Sequence, residues 1–468
     1  MSGPPDPLEL DAEEMRRLGY RAVDILVDRI AGLHECPAWR GATRAEMEER
    51  LREPPPEEPA DPEELLRSLQ EDVLAFAGHH DHPRFFGFVP SCPTWPGVLG
   101  DFFASGANVF AGTWLQSAGP STAELVVIDW FRRWLGWPPE TSGILVSGGS
   151  QANLTALACA REAVPGASSE RAVVYLSGEG HSSVTRAVHV LGFADEQVRL
   201  VPVDDLHRIQ VEGLDAAIRA DVAAGKQPFA AVANAGSTNT GAVDPLDEIA
   251  TVCAKHRVWL HVDAAYGGFA VLTERGQEAL RGLERADSAT LDPHKWLYQP
   301  YEAGCVLVRE GTRLGEAFHI VPDYLQDTHV GGREVNFADR GIQLTRSARA
   351  LKLWLSLKYF GVGAFRAAID RSLDVAAHAQ AVVEGTDELE LVSPAMLGVV
   401  CFRRTFPGAG ELETAARNAE LVERLRESGE GLVSSTRVGD RYALRICVLN
   451  HRSGEGDVER VLGWLATA

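Results

Sequence analysis

From about Asp81 onward, short β-rich runs alternate with helical stretches, and this alternation limits the possible folds more than any other feature of the chain. The strand candidates are Gly143–Ser147, Ala172–Leu176, Val198–Pro202, Phe229–Ala233, Trp259–Val262, Ser288–Leu291 and Cys305–Val308. Helices or loops fill the intervals between them. The pattern predicts an α/β fold with a mostly parallel seven-stranded sheet covered on both faces. In such sheets ligands sit beyond the carboxyl ends of the strands. The residues just after each strand candidate are therefore the ones to search for chemistry.

The flanking regions have a different texture. Met15, Leu18, Ala22, Ile25, Arg29 and Leu33 recur at a helical period. Further helices are expected around Arg44–Leu51 and Glu64–Ala77, separated by the charged, Pro-rich connector REPPPEEPADPEE. These helices carry too few other apolar residues to make a core of their own, so a second subunit is the natural surface for them. A helix over Thr345–Phe360 is followed by a small α+β region. There Leu389–Val392 pairs with Val399–Arg403, and Leu432–Thr436 with Tyr442–Val448, the latter turning at Gly439-Asp440. The expected division is a helical segment over 1–80, a large α/β domain over 81–360 and a C-terminal α+β domain over 361–468.

A formal charge of −21 repels nucleic acid and anionic lipid, and no basic cluster counters it. The seven cysteines are widely spaced and form no C-x-x-C. That suits a reducing cytoplasm better than a disulfide frame or a zinc site. The acidic N-terminus has no apolar core of a signal peptide, and no apolar run reaches the length of a membrane span. GHHDHP, residues 78–83, suggests a metal, but contiguous side chains rarely converge on one ion, so no metal is expected.

Five segments carry candidate chemistry. In DSATLDPHKWLYQP, residues 287–300, a strand ends in a turn that presents His294 and Lys295 beside Trp296. Loss of hydration there is expected to lower the lysine's pKa and make it nucleophilic, although most lysines near aromatic rings merely snorkel. In WLHVDAAYGGF, Asp263 ends an apolar strand, where a carboxylate calls for a cation; Ala265 leaves room for a flat ring. An isolated Asp there is as readily a helix cap. In GILVSGGSQANL, a strand runs through Gly148, Gly149 and Ser150 into a helix, which suits either a phosphate or a plain tight turn. His181 follows the strand Ala172–Leu176 and is placed to stack on a planar ligand, though a single histidine is commonly structural. Thr238 lies in a hydroxyl-rich loop after Phe229–Ala233.

HPRFFGFVPS, GGSQANLTAL, HSSVTRA, WLHVDAAYGG, DPHKWLY and RALKLWLSLKYFG together closely resemble the group II pyridoxal-phosphate decarboxylases, which include the aromatic amino-acid decarboxylases. The likeness covers nearly the whole chain. It implies a fold-type I enzyme that binds pyridoxal 5′-phosphate (PLP) and removes the carboxylate of an amino acid, most naturally an aromatic one. By the same resemblance, Lys295 carries the cofactor as an aldimine, Asp263 partners the pyridine nitrogen and His181 stacks on the ring. Gly149, Ser150 and His294 hold the phosphate, with Asp292 near it, while Thr238 and Ala265 line the cofactor. Phe88, Val89 and Pro90, with Trp296, belong to the substrate pocket. The family is an obligate homodimer with shared active sites, which gives the N-terminal helices their partner.

One departure bears on the product. The family's decarboxylases protonate the intermediate carbon from a loop tyrosine. Aligned without gaps through IQLTRSARALKLW, Phe337 stands where that tyrosine would be, and Phe has no proton to give. In the family such a change goes with oxidative deamination to an aldehyde. Tyr324 is the alternative loop residue, with Gly331-Gly332 to supply flexibility. A non-catalytic scaffold and a glutamate-type decarboxylase are the remaining readings. The latter needs cations in the pocket, and Arg84 is the one at hand.

Overall fold

The computed structural model describes Asp6, residues 8–90, 92–320, Gly332 and 334–468. A seven-stranded sheet forms its centre, built from β1 (Ser142–Val146), β2 (Ala172–Ser177), β3 (Val198–Val201), β4 (Gln227–Asn234), β5 (Trp259–Asp263), β6 (Ser288–Leu291) and β7 (Gly304–Val308). The spatial order is β1-β7-β6-β5-β4-β2-β3. All neighbours are parallel except β7, which runs antiparallel to both β1 and β6. Strands β2, β5, β6 and β7 are buried along their whole length. Helices cover both faces, which is why β2 and β7 read as near-continuous apolar runs rather than alternating ones, while β5 and β6 also bury His261, Ser288 and Thr290. Each of the seven expected strands is present to within two residues at either end.

Because β7 reverses direction, it starts at the end of the sheet where the parallel strands finish. Its first residue, Gly304, lies directly against Gly148: a Cβ on Gly304 would sit 2.4 Å from the Cα of Gly148. Only glycine allows that approach. Strand β1 is held on its other side by a buried ion pair, in which Arg346 donates to Glu124 at 2.7 Å and also to the carbonyl of Leu145.

The C-terminal region forms a second sheet, from β8 (Leu389–Met396), β9 (Val399–Arg404), β10 (Ser434–Val438) and β11 (Arg441–Cys447), in the order β10-β11-β9-β8. The two expected hairpins thus merge into one antiparallel sheet through β9–β11. Helices Val362–Glu384, Glu411–Ser428 and Glu455–Thr467 contribute side chains to the core beside it. The long helix expected from Thr345 starts only at Ala350. Arg346, in the segment before it, is committed to Glu124 and β1 rather than to a helical turn.

The N-terminal helix Ala12–Ala31 is capped by Asp11, whose carboxylate accepts from the amides of Glu13 and Glu14. It buries only Ile25, and Arg44–Leu51 and Pro62–Ser68 bury nothing. The third expected helix breaks after Ser68 into a π turn and a 3₁₀ turn. No described helix is long and apolar enough to cross a membrane.

Candidate active site

The ends of five strands converge on one cavity of about 300 Å³, a size that suits a small ligand. From β1 and the start of helix Gly149–Ala163 come Ser147, Gly148, Gly149 and Ser150. His181 and Ser183 follow β2, and Asn234, Gly236 and Thr238 end or follow β4. Asp263, Ala265 and Tyr266 come from β5, and Asp292, His294 and Lys295 from the turn after β6. Residues 147 to 302 in sequence thus meet within one ligand's width because the parallel strands all finish at the same edge.

The lysine lies in a short helical turn, Pro293–Trp296, and its Nζ is 2.9 Å from the Asp292 carboxylate. Burial alone would depress its pKa, as the sequence suggested. The adjacent Asp292, with Asp263 further off, outweighs burial and holds the Lys295 ammonium above its ordinary value. The expected lowering is therefore corrected: the lysine sits among apolar and aromatic groups but is paired with an anion. His294 turns the other way, accepting from the amide of Ala303 at its Nδ1, and burial lowers its pKa.

Asp263 is almost fully buried. Its Oδ2 accepts from Asn153 Nδ2 at 2.9 Å and its Oδ1 from the amide of Ala265 at 3.2 Å. His181 caps helix Ser182–Val190 and bonds Ser183 through its Nδ1, and burial lowers its pKa. Tyr266 stacks on Trp296, with ring centroids 5.3 Å apart, and its hydroxyl accepts from the amide of Gly398 beside β9. The second sheet thereby braces the cavity wall.

The cavity fits a flat, phosphorylated pyridine ring. Asp292 Oδ1 is buried without a hydrogen-bond partner in the protein. A Cβ on Gly149 would meet Asp292 Oδ2 at 3.0 Å and Ala265 Cβ at 3.1 Å, so the glycine keeps a narrow space open. The first turn of a fifteen-residue helix, with unpaired amides and the positive end of its dipole, faces the same space.

Several expected residues lie elsewhere. Trp296 is fully buried behind Tyr266 and does not line the cavity. Phe88, Val89 and Pro90 are also outside its lining; Phe88 is exposed, its carbonyl accepting from Arg445. Arg84 donates to the carbonyl of Glu430, away from the cavity. Phe337 is wholly buried under the guanidinium of Arg346, 5.0 Å from the ring centroid, and forms part of the core rather than an exposed loop. Tyr324 and Gly331 lie outside the described residues. In GHHDHP each side chain has its own partner: His79 bonds the Pro37 carbonyl, His80 the Tyr301 hydroxyl, Asp81 Arg29 and His82 the Cys36 carbonyl.

Asn153, Ser183, Tyr266 and Glu302 line the cavity but were not singled out in the sequence. Asn153 sits three residues beyond the end of the Gly-rich turn, and nothing in a helix of small residues marks one amide as special. Tyr266 adjoins the Asp263 motif and was the one within reach of sequence reasoning.

Residues 45–405 match the family model described as the pyridoxal-dependent decarboxylase conserved domain. The chain is 43% identical to the aromatic-L-amino-acid decarboxylase of Bacillus atrophaeus, over 97% of this chain and 95% of that protein. It is 29% identical to the phenylacetaldehyde synthase of Petunia hybrida, over 94% and 91% of the two chains. The crystal structure of Oryza sativa TDC with PLP and tryptamine superposes with a TM-score of 0.93 at 29% identity, covering 99% of this chain and 98% of that one. With a lysine, a carboxylate, a histidine and a glycine-lined helix start gathered on one cavity, and with these matches over almost its full length, the chain belongs to the pyridoxal-dependent decarboxylases and is a PLP-dependent amino-acid decarboxylase.

Proposed function

We propose that the enzyme converts an aromatic L-amino acid to its amine. The observation that carries this is the gathering of Lys295, Asp263, His181 and the Gly149 helix start on one cavity whose described lining contains no arginine. A second substrate carboxylate would have no guanidinium to meet there, which disfavours a glutamate-type substrate. The relatives named for aromatic substrates point the same way.

When bound, PLP supplies an electron sink for the pair left by the departing carboxylate. The chain's residues do the rest. Gly149 and Ser150, at the helix start, hold the phosphate, with His294 beside it and Asp292 close to both it and Lys295. Lys295 would be the covalent anchor, and Asp292 is the counter-ion of its free ammonium. Asp263 would accept a hydrogen bond from the ring nitrogen, and Ala265 and Thr238 would border the ring. His181, tied to Ser183 through its Nδ1, would cover the ring's other face.

The oxidative alternative drew on Phe337, whose ring is buried under Arg346 and does not line the cavity. An assay over the aromatic amino acids with oxygen uptake followed in parallel tests the reading. Amine and carbon dioxide in equal amounts without oxygen uptake are expected; stoichiometric peroxide and ammonia would overturn it.

The same proposal extends to assembly and place. Leu10, Met15, Tyr20, Val23 and Val27 on the N-terminal arm are exposed, as are Phe102 and Phe103 on the helix after the GHHDHP segment. Apolar exposure on this scale suits a homodimer with shared active sites. The division at about residues 80 and 360 follows the change from helical arm to central sheet to second sheet. The described cysteines are free and six of the seven are buried, which suits the cytoplasm.

A further inference from the structure

Beneath the cavity lies a polar network that no established role accounts for. Asn153, His261, Ser288 and Thr290 are each fully buried, and Ser183 nearly so. Burying so many polar groups is costly unless every donor meets an acceptor. The donors and acceptors allow one consistent arrangement.

It starts at Trp259, whose indole can only donate, and does so to Ser288 Oγ at 2.8 Å. The Ser288 hydroxyl then gives its own hydrogen to His261 Nδ1, 2.9 Å away. His261 therefore carries its proton on Nε2 and donates to Asn153 Oδ1 at 2.9 Å. Thr290 donates to the same oxygen at 2.7 Å. The Asn153 amide cannot be turned round, because its oxygen would then face the Asp263 carboxylate. Its nitrogen instead gives one hydrogen to Asp263 Oδ2 at 2.9 Å and the other to Ser183 Oγ at 3.0 Å. Ser183, having accepted, donates to His181 Nδ1 at 2.7 Å, where the Ser183 amide also donates. His181 is left with its proton on Nε2.

We propose that Asn153 is a positioning residue that sets the edge and one face of the cofactor ring at once: it presents Asp263 as an acceptor to the ring nitrogen and, through Ser183, fixes the tautomer of His181 over the ring face. His261, Ser288 and Trp259 form the anchor that keeps the amide facing one way. Burial pushes the pKa of His261 down to about 4, so the anchor stays neutral and its direction does not reverse across the working pH range. This inference rests on the proposed seating of the ring, its nitrogen at Asp263 and one face under His181.

The test uses the PLP-loaded enzyme. Asn153→Leu keeps the approximate volume and removes both hydrogen-bonding ends. It is expected to weaken PLP retention roughly tenfold or more and to shift the pH dependence of the bound cofactor's visible absorbance. His261→Phe should do the same, and His261→Gln, whose amide can still donate to Asn153, should restore most of the loss. An Asn153→Leu enzyme with wild-type PLP retention and pH profile, while Asp263→Asn loses PLP, overturns the role of Asn153 alone. If Asp263→Asn also retains PLP, the seating of the ring fails and the inference with it. Should the leucine variant not fold, nitrogen-15 NMR of the wild-type holoenzyme decides. Both His181 and His261 must show an unprotonated Nδ1 and a protonated Nε2 near neutral pH, and a proton on Nδ1 of either one overturns the proposal.

Discussion

At Lys295 two effects oppose each other, and their balance sets how the residue works. Burial disfavours the ammonium, and Asp292 at 2.9 Å restores it. The sequence revealed the burial, through Trp296 and the strand end, but not the counter-ion's dominance, which depends on where the Asp292 carboxylate points. Phe337 teaches the same lesson from the other side. Its place in an ungapped alignment suggested a catalytic position, whereas its ring is wedged under Arg346 in the core. Phe337→Tyr is accordingly expected to leave the ratio of amine to aldehyde unchanged, as measured by product analysis with oxygen uptake. It should lower stability by roughly 1–3 kcal/mol through an unpaired buried hydroxyl, read from urea unfolding.

Among the elements, strands were legible and their partners less so. Apolar β-branched runs announce buried strands wherever they occur, and Asp263, His181 and Lys295 were found because each follows one. Side chains that reach the cavity from a helix interior, such as Asn153, carry no such marker. The segment HPRFFGFVPS looked like a pocket wall, yet Phe88 faces outward and its neighbours lie beside the second sheet. The turn from β1 into helix Gly149–Ala163 is open to a phosphate or to plain sterics, and the crowding of Gly149 against Asp292 and Ala265 accounts for a glycine on either reading. Gly149→Ala places a methyl 3.0 Å from Asp292 and 3.1 Å from Ala265. It should weaken PLP binding about tenfold, a loss near 1.4 kcal/mol, while thermal unfolding without PLP moves by only a few degrees. Equal loss of both would mean that the turn is merely structural.

For the molecule as a whole, two properties follow. His82, His261 and His451 are each pushed down to about 4, chiefly by burial. A histidine whose folded pKa lies below its unfolded value supports the fold fully above about pH 6.5 and loses that support as pH falls toward 4. Asp244, pushed up to about 6 by burial, acts in the opposite sense over part of the same window. With three groups against one, and about 1.4 kcal/mol for each pKa unit, net stability should fall between about pH 6.5 and pH 4, as urea midpoints at a series of pH values will record. The second property is assembly. Val23→Asp with Val27→Asp charges two exposed apolar positions of the N-terminal helix. With the arm packed on a second subunit as proposed, it is expected to raise the dissociation constant of that dimer at least tenfold, measured by sedimentation, and to reduce activity in parallel. The sequence foretold this arm because its helices had no core of their own, and in the fold they bury only Ile25.

The reversed strand β7 also fixes an order of events during synthesis. Strand β1 lies at the sheet's edge and among the described residues its only sheet neighbour is β7, so residues 142–146 wait for residues 304–308 before they can pair. Almost two-thirds of the polypeptide must leave the ribosome before the glycine turn can close against Lys295. Until then β2 to β6 can assemble as a parallel block with an open flank, exposed to chaperones or to a second nascent chain. The strand made last in this sheet is the one that locks the cofactor's cradle.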